Sequence, residues 1–338
     1  MAETMKTWSY GKVQGKLEDF LVCDESAPAP DRSFLSKDQL VVETISTALN
    51  PVDYKLPESW VANLRIKFPA TPGLDFCGRV VAKNPSNTSV EIGQLVFGGL
   101  PGAQQFGGLG QYILTNSNEC APLPDGINPD HAAAVGTAAT TAYQSLLPGT
   151  PKMGWRIFIN GGSGGCGTWA IQFAKVMGAF VVTCCSTANV EMCQQLGADE
   201  VIDYKKTDVV DELRSRGQIF DMVVDNVGSE ELYSNQASYL KPNGWYSQVG
   251  MSDMAFSTVG TTLLRSALPT VLTYGRKFYF VNQKNSREFF ENIGRMMADG
   301  KVRAVIDEMF EWEDAPAAIA KVREGRTKGK VVVHVGEP

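Results

Sequence analysis

Histidine is nearly absent from this 338-residue chain, which has only His131 and His334. Its seven cysteines, at 23, 77, 120, 166, 184, 185 and 193, form no Cys-x-x-Cys pair and no zinc-finger spacing. A zinc site would have to be assembled from scattered thiols and carboxylates, so no metal is expected. An odd number of thiols without a secretion signal fits reduced cysteines rather than a disulfide framework. The opening MAETMKTWSYGKV has no apolar signal core, and no later run reaches the about 18 apolar residues of a membrane span. The expectation is a cytoplasmic protein with no membrane span. Positive charge is also short: 31 Lys and Arg against 37 Asp and Glu leave a net −6. Nucleic-acid binding calls for a basic stripe, and is not expected.

What is present is the composition of a globular protein, 43% hydrophobic and 20% charged, in a chain too long for one ordinary core. The stretch that organises the rest is WRIFINGGSGGCGTWAIQFAKVMG, from Trp155 to Gly178. An apolar run broken only by Arg156 reads as a buried strand, and Thr168 to Met177 repeats apolar residues at helical spacing. Between them Gly162, Gly164 and Gly167 fit Gly-x-Gly-x-x-Gly. Gly162 is expected to permit the tight turn, Gly164 to let a pyrophosphate approach the backbone, and Gly167 to let helix and strand pack closely. The anion would sit on the helix N-terminus, where amides lack intrahelical partners. Ser163, Gly165 and Cys166 complete this loop, Cys166 through its amide rather than its thiol.

Upstream, segments such as QLVVETISTALN, PGLDFCGRVV, VEIGQLVFG and GGLGQY predict short strands joined by glycine turns, as in a partly open β-barrel. NPVDYK, from Asn50 to Lys55, interrupts them as a short helix or loop at the lip of a site. From Asn128 the pattern changes to an Ala-rich helix over 131–147, capped by Asn128 or Asp130. Strands and helices then alternate, including a helix over 230–240 and strands over 244–249 and 277–281. This calls for a parallel sheet with helices on both faces. A helix over 287–299, strands over 306–310 and 330–335 and a helix over 315–323 return to the first style. The reading is α/β, with a discontinuous domain of residues 1–127 and 287–338 and a dinucleotide-binding domain of 128–286.

Taken in order, NPVDYK at Asn50, PGLDFCGRVV at Pro72, IGQLVFG at Ile92, GGLGQY at Gly107, TAY at Thr141, INGGSGGCGTWAIQFAK at Ile159, LGADEVIDY at Leu196, FDMVVDNVG at Phe220 and GKVVV at Gly329 span essentially the whole chain. This series resembles the zinc-independent quinone oxidoreductase and enone reductase branch of the medium-chain dehydrogenase/reductase superfamily. The resemblance implies a GroES-like barrel domain and a Rossmann doubly wound parallel-sheet domain, with the active site in their cleft. Leu74 stands where alcohol-oxidising members carry a histidine, which disfavours metal-polarised alcohol oxidation.

An NAD-binding unit places a carboxylate beyond the glycines, but here the second strand ends in TCCSTAN, from Thr183 to Asn189. Ser186, Thr187 and Asn189 offer donors to a 2′-phosphate, and Tyr204 matches a tyrosine that contacts it in similar enzymes. NADPH is therefore expected over NADH, the alternative for Ser186 being a plain helix cap. The resemblance makes Lys55 the proton source, against the alternative of a solvated surface lysine. Asn50 and Tyr54 would contact substrate or nicotinamide, although Asn50 before Pro51 equally makes a turn. Thr141 would lie near the nicotinamide or simply pack. Asn226, Val227, Gly250 and Met251 fall at carboxyl ends of strands, where open α/β sheets bind ligands, and Phe280 and Val281 would line the nicotinamide end. Trp60, Phe68, Phe97, Phe106 and Tyr274 shape an apolar pocket or belong to the core.

The function expected is NADPH-dependent hydride transfer to an activated C=C bond or a quinone, on a small apolar substrate. One alternative is a trans-acting enoyl reductase on carrier-bound acyl chains. Another is an NADPH-binding protein with a redox-neutral or structural role. A homodimer through the strand near Phe278 is expected, with a monomer as the alternative.

Overall fold

The computed structural model describes residues 3–59, 64, 66–102, 104–250, 256–267, 273 and 275–337. Two compact units divide the chain, Met1–Thr140 with Lys284–Pro338 and Thr141–Gln283.

In the first unit β1 (Thr4–Ser9) pairs antiparallel with β2 (Val22–Pro28). The long strand β3 (Gln39–Leu49) anchors a seven-stranded sheet, and α1 (Pro51–Glu58) follows directly from it. β4 (Asp75–Lys83), β5 (Leu95–Gly99), β6 (Tyr112–Asn116) and β7 (Cys120–Pro122) then add antiparallel neighbours, β6 pairing with the first part of β3. Leu40, Val42, Phe76, Val80, Val96 and Ile113 form the core of this sheet.

The Ala-rich segment is two helices, α2 (Pro129–Ala133) and α3 (Gly136–Leu146), where a single helix over 131–147 was expected. Asp75 is the reason for the break. Its Oδ1 accepts the amide and the hydroxyl of Thr137, each at 2.6 Å, so a carboxylate from β4 caps a fresh helix start. A Cβ at Gly136 would lie 2.3 Å from that carboxyl group, so only glycine fits there. Asn128 caps α2 by accepting the Asp130 amide, while Asp130 itself accepts the Ser46 hydroxyl. α2 and the start of α3 bond to β3 and β4, and the first compact unit includes the residues up to Thr140, inside α3.

The second unit alternates β8 (Arg156–Asn160), α4 (Gly165–Val176), β9 (Phe180–Cys185), α5 (Val190–Gln195), β10 (Glu200–Asp203), α6 (Val209–Ser215), β11 (Phe220–Asp225), α7 (Glu230–Asn235), β12 (Leu240–Gln248), α8 (Phe256–Ala267) and β13 (Lys277–Phe280). Its six strands are all parallel, in the order β10-β9-β8-β11-β12-β13. Ile157 to Ile159, Val181, Val182, Val223 and Val224 are fully buried, as covered parallel strands require. The helix expected over 230–240 stops at Asn235, because Leu240 already pairs with Phe220 as the start of β12.

The chain returns to the first unit through α9 (Arg287–Ala298), β14 (Ile306–Glu311), α10 (Ala315–Arg323) and β15 (Lys330–His334). β15 lies between β14 and β3, so the C-terminus closes the sheet that the N-terminal part began. No helix among the described residues is long and apolar enough to cross a membrane.

One buried carboxylate organises the strand ends of the second unit. Asp225 accepts from Asn160 Nδ2 at 2.8 Å, from the amides of Val227, Gly228 and Ser229 at 3.1, 3.0 and 2.8 Å, and from the Tyr246 hydroxyl at 2.8 Å. Removing it strands five donors around one site. Asp225→Ala should cost ~3–5 kcal/mol by urea unfolding, the range for deleting one partner of a buried polar cluster. Asp299→Ala, which loses only the exposed pair with Lys301, should leave the unfolding midpoint where it is.

Candidate active site

In the first unit the site residues are carried by α1, which is fixed at both ends. At its start the Asn50 amide donates to Asp53 Oδ2 at 2.6 Å, one half of a capping box. The Asn50 side chain is turned inward: Nδ2 donates to Asp75 Oδ2 at 2.8 Å, and Oδ1 accepts Lys330 Nζ at 2.5 Å. Lys330 Nζ also donates to the Leu49 carbonyl at 3.0 Å and to Asp75 Oδ2 at 3.1 Å. At the other end Arg323 of α10 bonds Glu58 and makes two 2.7 Å bonds to Glu18. Its guanidinium carbon stands 4.1 Å from the centroid of the Tyr54 ring.

These contacts sort the three residues expected at the lip. Asn50 is buried at the start of α1, with its amide group bonded to Asp75 and Lys330. Tyr54 is half-buried against the core that includes Leu17, Ile319 and Val322, and burial raises its hydroxyl pKa. Lys55 is exposed in the last turn of α1. Asp53 is buried, and burial, followed by the charge of Asp75, pushes its carboxyl up to about 7. Sequence reasoning missed Asp53, Asp75 and Lys330. The available signal was a lone charge beside apolar strand residues, in PGLDF and KVVV.

In the second unit the glycine turn has the expected form with one reassignment. The left-handed residue is Gly161, at φ 74°, so Gly161 rather than Gly162 makes the tight turn. Gly162 is required by packing, since its Cβ would lie 2.0 Å from Thr183 Oγ1. At Gly167 a Cβ would lie 2.1 Å from the Gly161 carbonyl, which is the close helix–strand contact expected there. A Cβ at Gly164 would meet its nearest atom at 3.7 Å, so this position is open. No side chain caps the start of α4, and Ser163, Gly165 and Cys166 are partly exposed around it. The turn fits a phosphate-bearing cofactor: it offers an open backbone and an uncapped helix start.

At the end of β9, Asn189 Nδ2 donates to Ser186 Oγ at 3.2 Å, while Asn189 Oδ1 is buried without a partner. Thr187 Oγ1 donates to Asp203 Oδ2 at 2.7 Å, so a carboxylate does reach this site, from β10. That corrects the reading of an acid-free site, which considered only the strand's own residues. Tyr204 is half-exposed beside it, with Lys205 Nζ 5.4 Å from its ring centroid and Lys206 Nζ 3.5 Å from Asp203.

Asn226 Nδ2 donates to the Asn160 carbonyl at 2.9 Å, leaving a buried Oδ1 without a partner, and Val227 is exposed. Gly250 approaches so closely that a Cβ would lie 2.4 Å from the Asn226 carbonyl. Thr141 and Val281 are buried and Phe280 is half-buried. Met251, Trp60 and Tyr274 lie outside the described residues. Of the remaining aromatic residues, Phe97 packs on Phe290 in the core and Phe68 packs on Tyr10, while Phe106 is half-buried.

Comparison with known proteins bears on both units. The alcohol dehydrogenase GroES-like domain family matches residues 36–125, and a zinc-binding dehydrogenase family matches residues 196–333. The trans-enoyl reductase pgmF of Aspergillus terreus is 42% identical over 99% of this chain and 97% of its own length. The 2-methylene-furan-3-one reductase of Solanum lycopersicum is 31% identical over 98% of this chain and 79% of its own. Among solved structures, a quinone oxidoreductase from Coxiella burnetii shares the fold, with a TM-score of 0.84 at 24% identity over 99% of this chain and 100% of its own. With a GroES-like unit, a parallel-sheet unit with a glycine turn, and relatives above 30% identity over nearly all of this chain, the chain belongs to the medium-chain dehydrogenase/reductase superfamily and is an oxidoreductase of that type.

Proposed function

We propose that the protein is an NADPH-dependent, zinc-independent reductase that delivers hydride to the β-carbon of a C=C bond conjugated to a carbonyl. The observation that carries this reading is the likeness, over nearly the whole of this chain, to two proteins whose names state such reductions, an enoyl group in one and a methylene ketone in the other. The glycine turn supports the cofactor class. Zinc independence is supported by the side chains present: Leu74 is no ligand, and among the described residues no three His, Cys, Asp or Glu side chains are grouped to hold a metal.

A bound nicotinamide would supply the hydride. The chain supplies the rest. The uncapped start of α4, with Gly164 open beside it, would hold the cofactor phosphates. Since the Thr187 hydroxyl and the Lys206 ammonium are both paired with Asp203, the donors left for a 2′-phosphate are Ser186, Tyr204 and the ammonium group of Lys205. The buried, unpaired oxygens of Asn226 and Asn189 are acceptors for ligand N–H or O–H groups. On the substrate, charge develops on the carbonyl oxygen as hydride adds, and a proton must then reach the α-carbon. Lys55 is the group we assign to that proton, with Tyr54 beside it on α1.

The 42%-identical relative, named a trans-enoyl reductase, favours an enoyl group as the class of substrate, which carries the alternative of an acyl chain on a carrier alongside a free enone. The open edge of the parallel sheet at β13 is where we place a dimer contact.

NADPH should be preferred to NADH by at least about tenfold in kcat/KM, a difference of about 1.4 kcal/mol. Tyr204→Ala with Lys205→Ala should raise KM for NADPH and leave NADH unchanged. Equal use of both cofactors by the wild type would sink the 2′-phosphate assignment. Lys55→Ala should lower kcat about 10²–10⁴-fold with cofactor binding intact, the range for losing a positioned acid. That variant would be assayed with linear enones, quinones and enoyl thioesters of pantetheine. Tight NADPH binding without turnover on any of them would refute double-bond reduction. Light scattering should give twice the chain mass, falling to one when proline replaces Tyr279 in β13.

A further inference from the structure

Beneath α1 lies a small cavity lined by Tyr10, Asp53, Thr71, Gly73, Leu74 and Gln104, among others. Its room for the centre of a water-sized sphere is about 10 Å3, close to what a single water requires. Tyr10 is 2% and Asp53 4% exposed. The Tyr10 hydroxyl, Asp53 Oδ1 and Gln104 Nε2 are buried without a hydrogen-bond partner, and all three residues line this cavity. Native structures leave few such atoms unpaired. One water satisfies all three: it accepts from Gln104 and from protonated Asp53 while donating to the Tyr10 hydroxyl oxygen, and once Asp53 is ionised it accepts from Gln104 and Tyr10 and donates to the carboxylate.

The charges point to the same place. Around Asp53 stand Asp75 from β4, Lys330 from β15 and Tyr10 from the end of β1, with the neutral Asn50 and Gln104. Two carboxyl groups thus share one buried ammonium, and the cluster is electroneutral when one of them holds a proton. Asp75 accepts from Asn50, Lys330 and twice from Thr137. Asp53 accepts only from Asn50, through Oδ2, and its Oδ1 is bare. The proton therefore belongs on Asp53 Oδ1, facing the cavity.

We propose that this cavity binds one water molecule and that Asp53 carries a proton against it, as a positioning residue on the buried face of the helix that also bears Tyr54 and Lys55. The site is a property of the free protein, independent of the substrate reduced. Burial, and then the charge of Asp75, raise the Asp53 carboxyl to about 7 in the folded chain. An unfolded aspartate titrates near ~3.9, so between these values the native state holds the extra proton and stability falls as pH rises. Above about 7 the fall levels off.

Infrared titration of the whole chain tests this. The wild type should show a protonated-carboxyl band at about pH 6 that is lost by about pH 8.5, and Asp53→Asn should lack it. Because asparagine copies the protonated form, wild-type Tm should fall relative to Asp53→Asn as pH rises from about 5 to about 8. Tyr10→Phe and Gln104→Leu each remove a donor to the water, and each should move the band's midpoint upward by roughly half a pH unit or more. Absence of the band at about pH 6, or its survival in Asp53→Asn, overturns the proton assignment. A midpoint unmoved in both Tyr10→Phe and Gln104→Leu overturns the water site. Should Asp53→Asn not fold, the wild-type band and its shift in the other two variants decide the matter.

Discussion

Lys330 meets the carboxylate of Asp75 from 255 residues further along the chain, and the first unit is assembled around that contact. Both side chains are almost wholly buried, at 3% and 0% exposure, so neither is screened or solvated by water. A buried pair of this kind adds little to stability against an apolar replacement, yet each partner is costly to leave alone. Its effect is therefore on register. Lys330 also bonds the carbonyl of Leu49 and the side chain of Asn50, so the last strand, the end of β3 and the start of α1 meet at one ammonium. Asp75 adds the first turn of α3 to the same point. A shift of β15 by one residue would turn Lys330 to the other face and abandon all of these bonds.

Asp225 does comparable work in the second unit, with amides in place of the ammonium. Three consecutive N–H groups after β11 converge on its carboxylate, together with a side chain from each neighbouring strand. Where a strand ends and the chain must turn, backbone donors lose their ladder partners and need an acceptor. Asp75 meets that need for α3, and Asp225 meets it for the loop that carries Asn226 and Val227. In each unit a buried acid fixes the start of the segment that follows a strand or opens a helix.

How much of this could be read from the sequence depends on how local each cause is. The glycine turn was legible because its constraints lie within seven residues: a sharp turn, an open backbone and a close helix contact. The displacement of the turn from Gly162 to Gly161 was not, since Asn-Gly-Gly offers two adjacent glycines, and the packing of Gly162 on Thr183 of β9 is a contact between strands that the string does not display. The alternation of strand and helix across the parallel sheet followed from apolar periodicity. The break in the Ala-rich helix did not, because the group that caps its second half comes from β4, 62 residues upstream. Asp203 reached Thr187 by the same kind of lateral pairing, between strands that are neighbours in the sheet and not in the chain.

The residues singled out in NPVDYK divide along the same line. In a helix, positions one apart point in different directions, so one short motif can serve both the interior and the surface. Asn50 and Asp53 face inward and are consumed by capping and by the buried charges, whereas Lys55 is exposed and Tyr54 lies between, held under Arg323. A motif seen as a string invites one role for all its members. Burial separates the exposed Lys55 from the groups around it that are tied down, and the two ends of α1 are bonded to Lys330 and to Arg323.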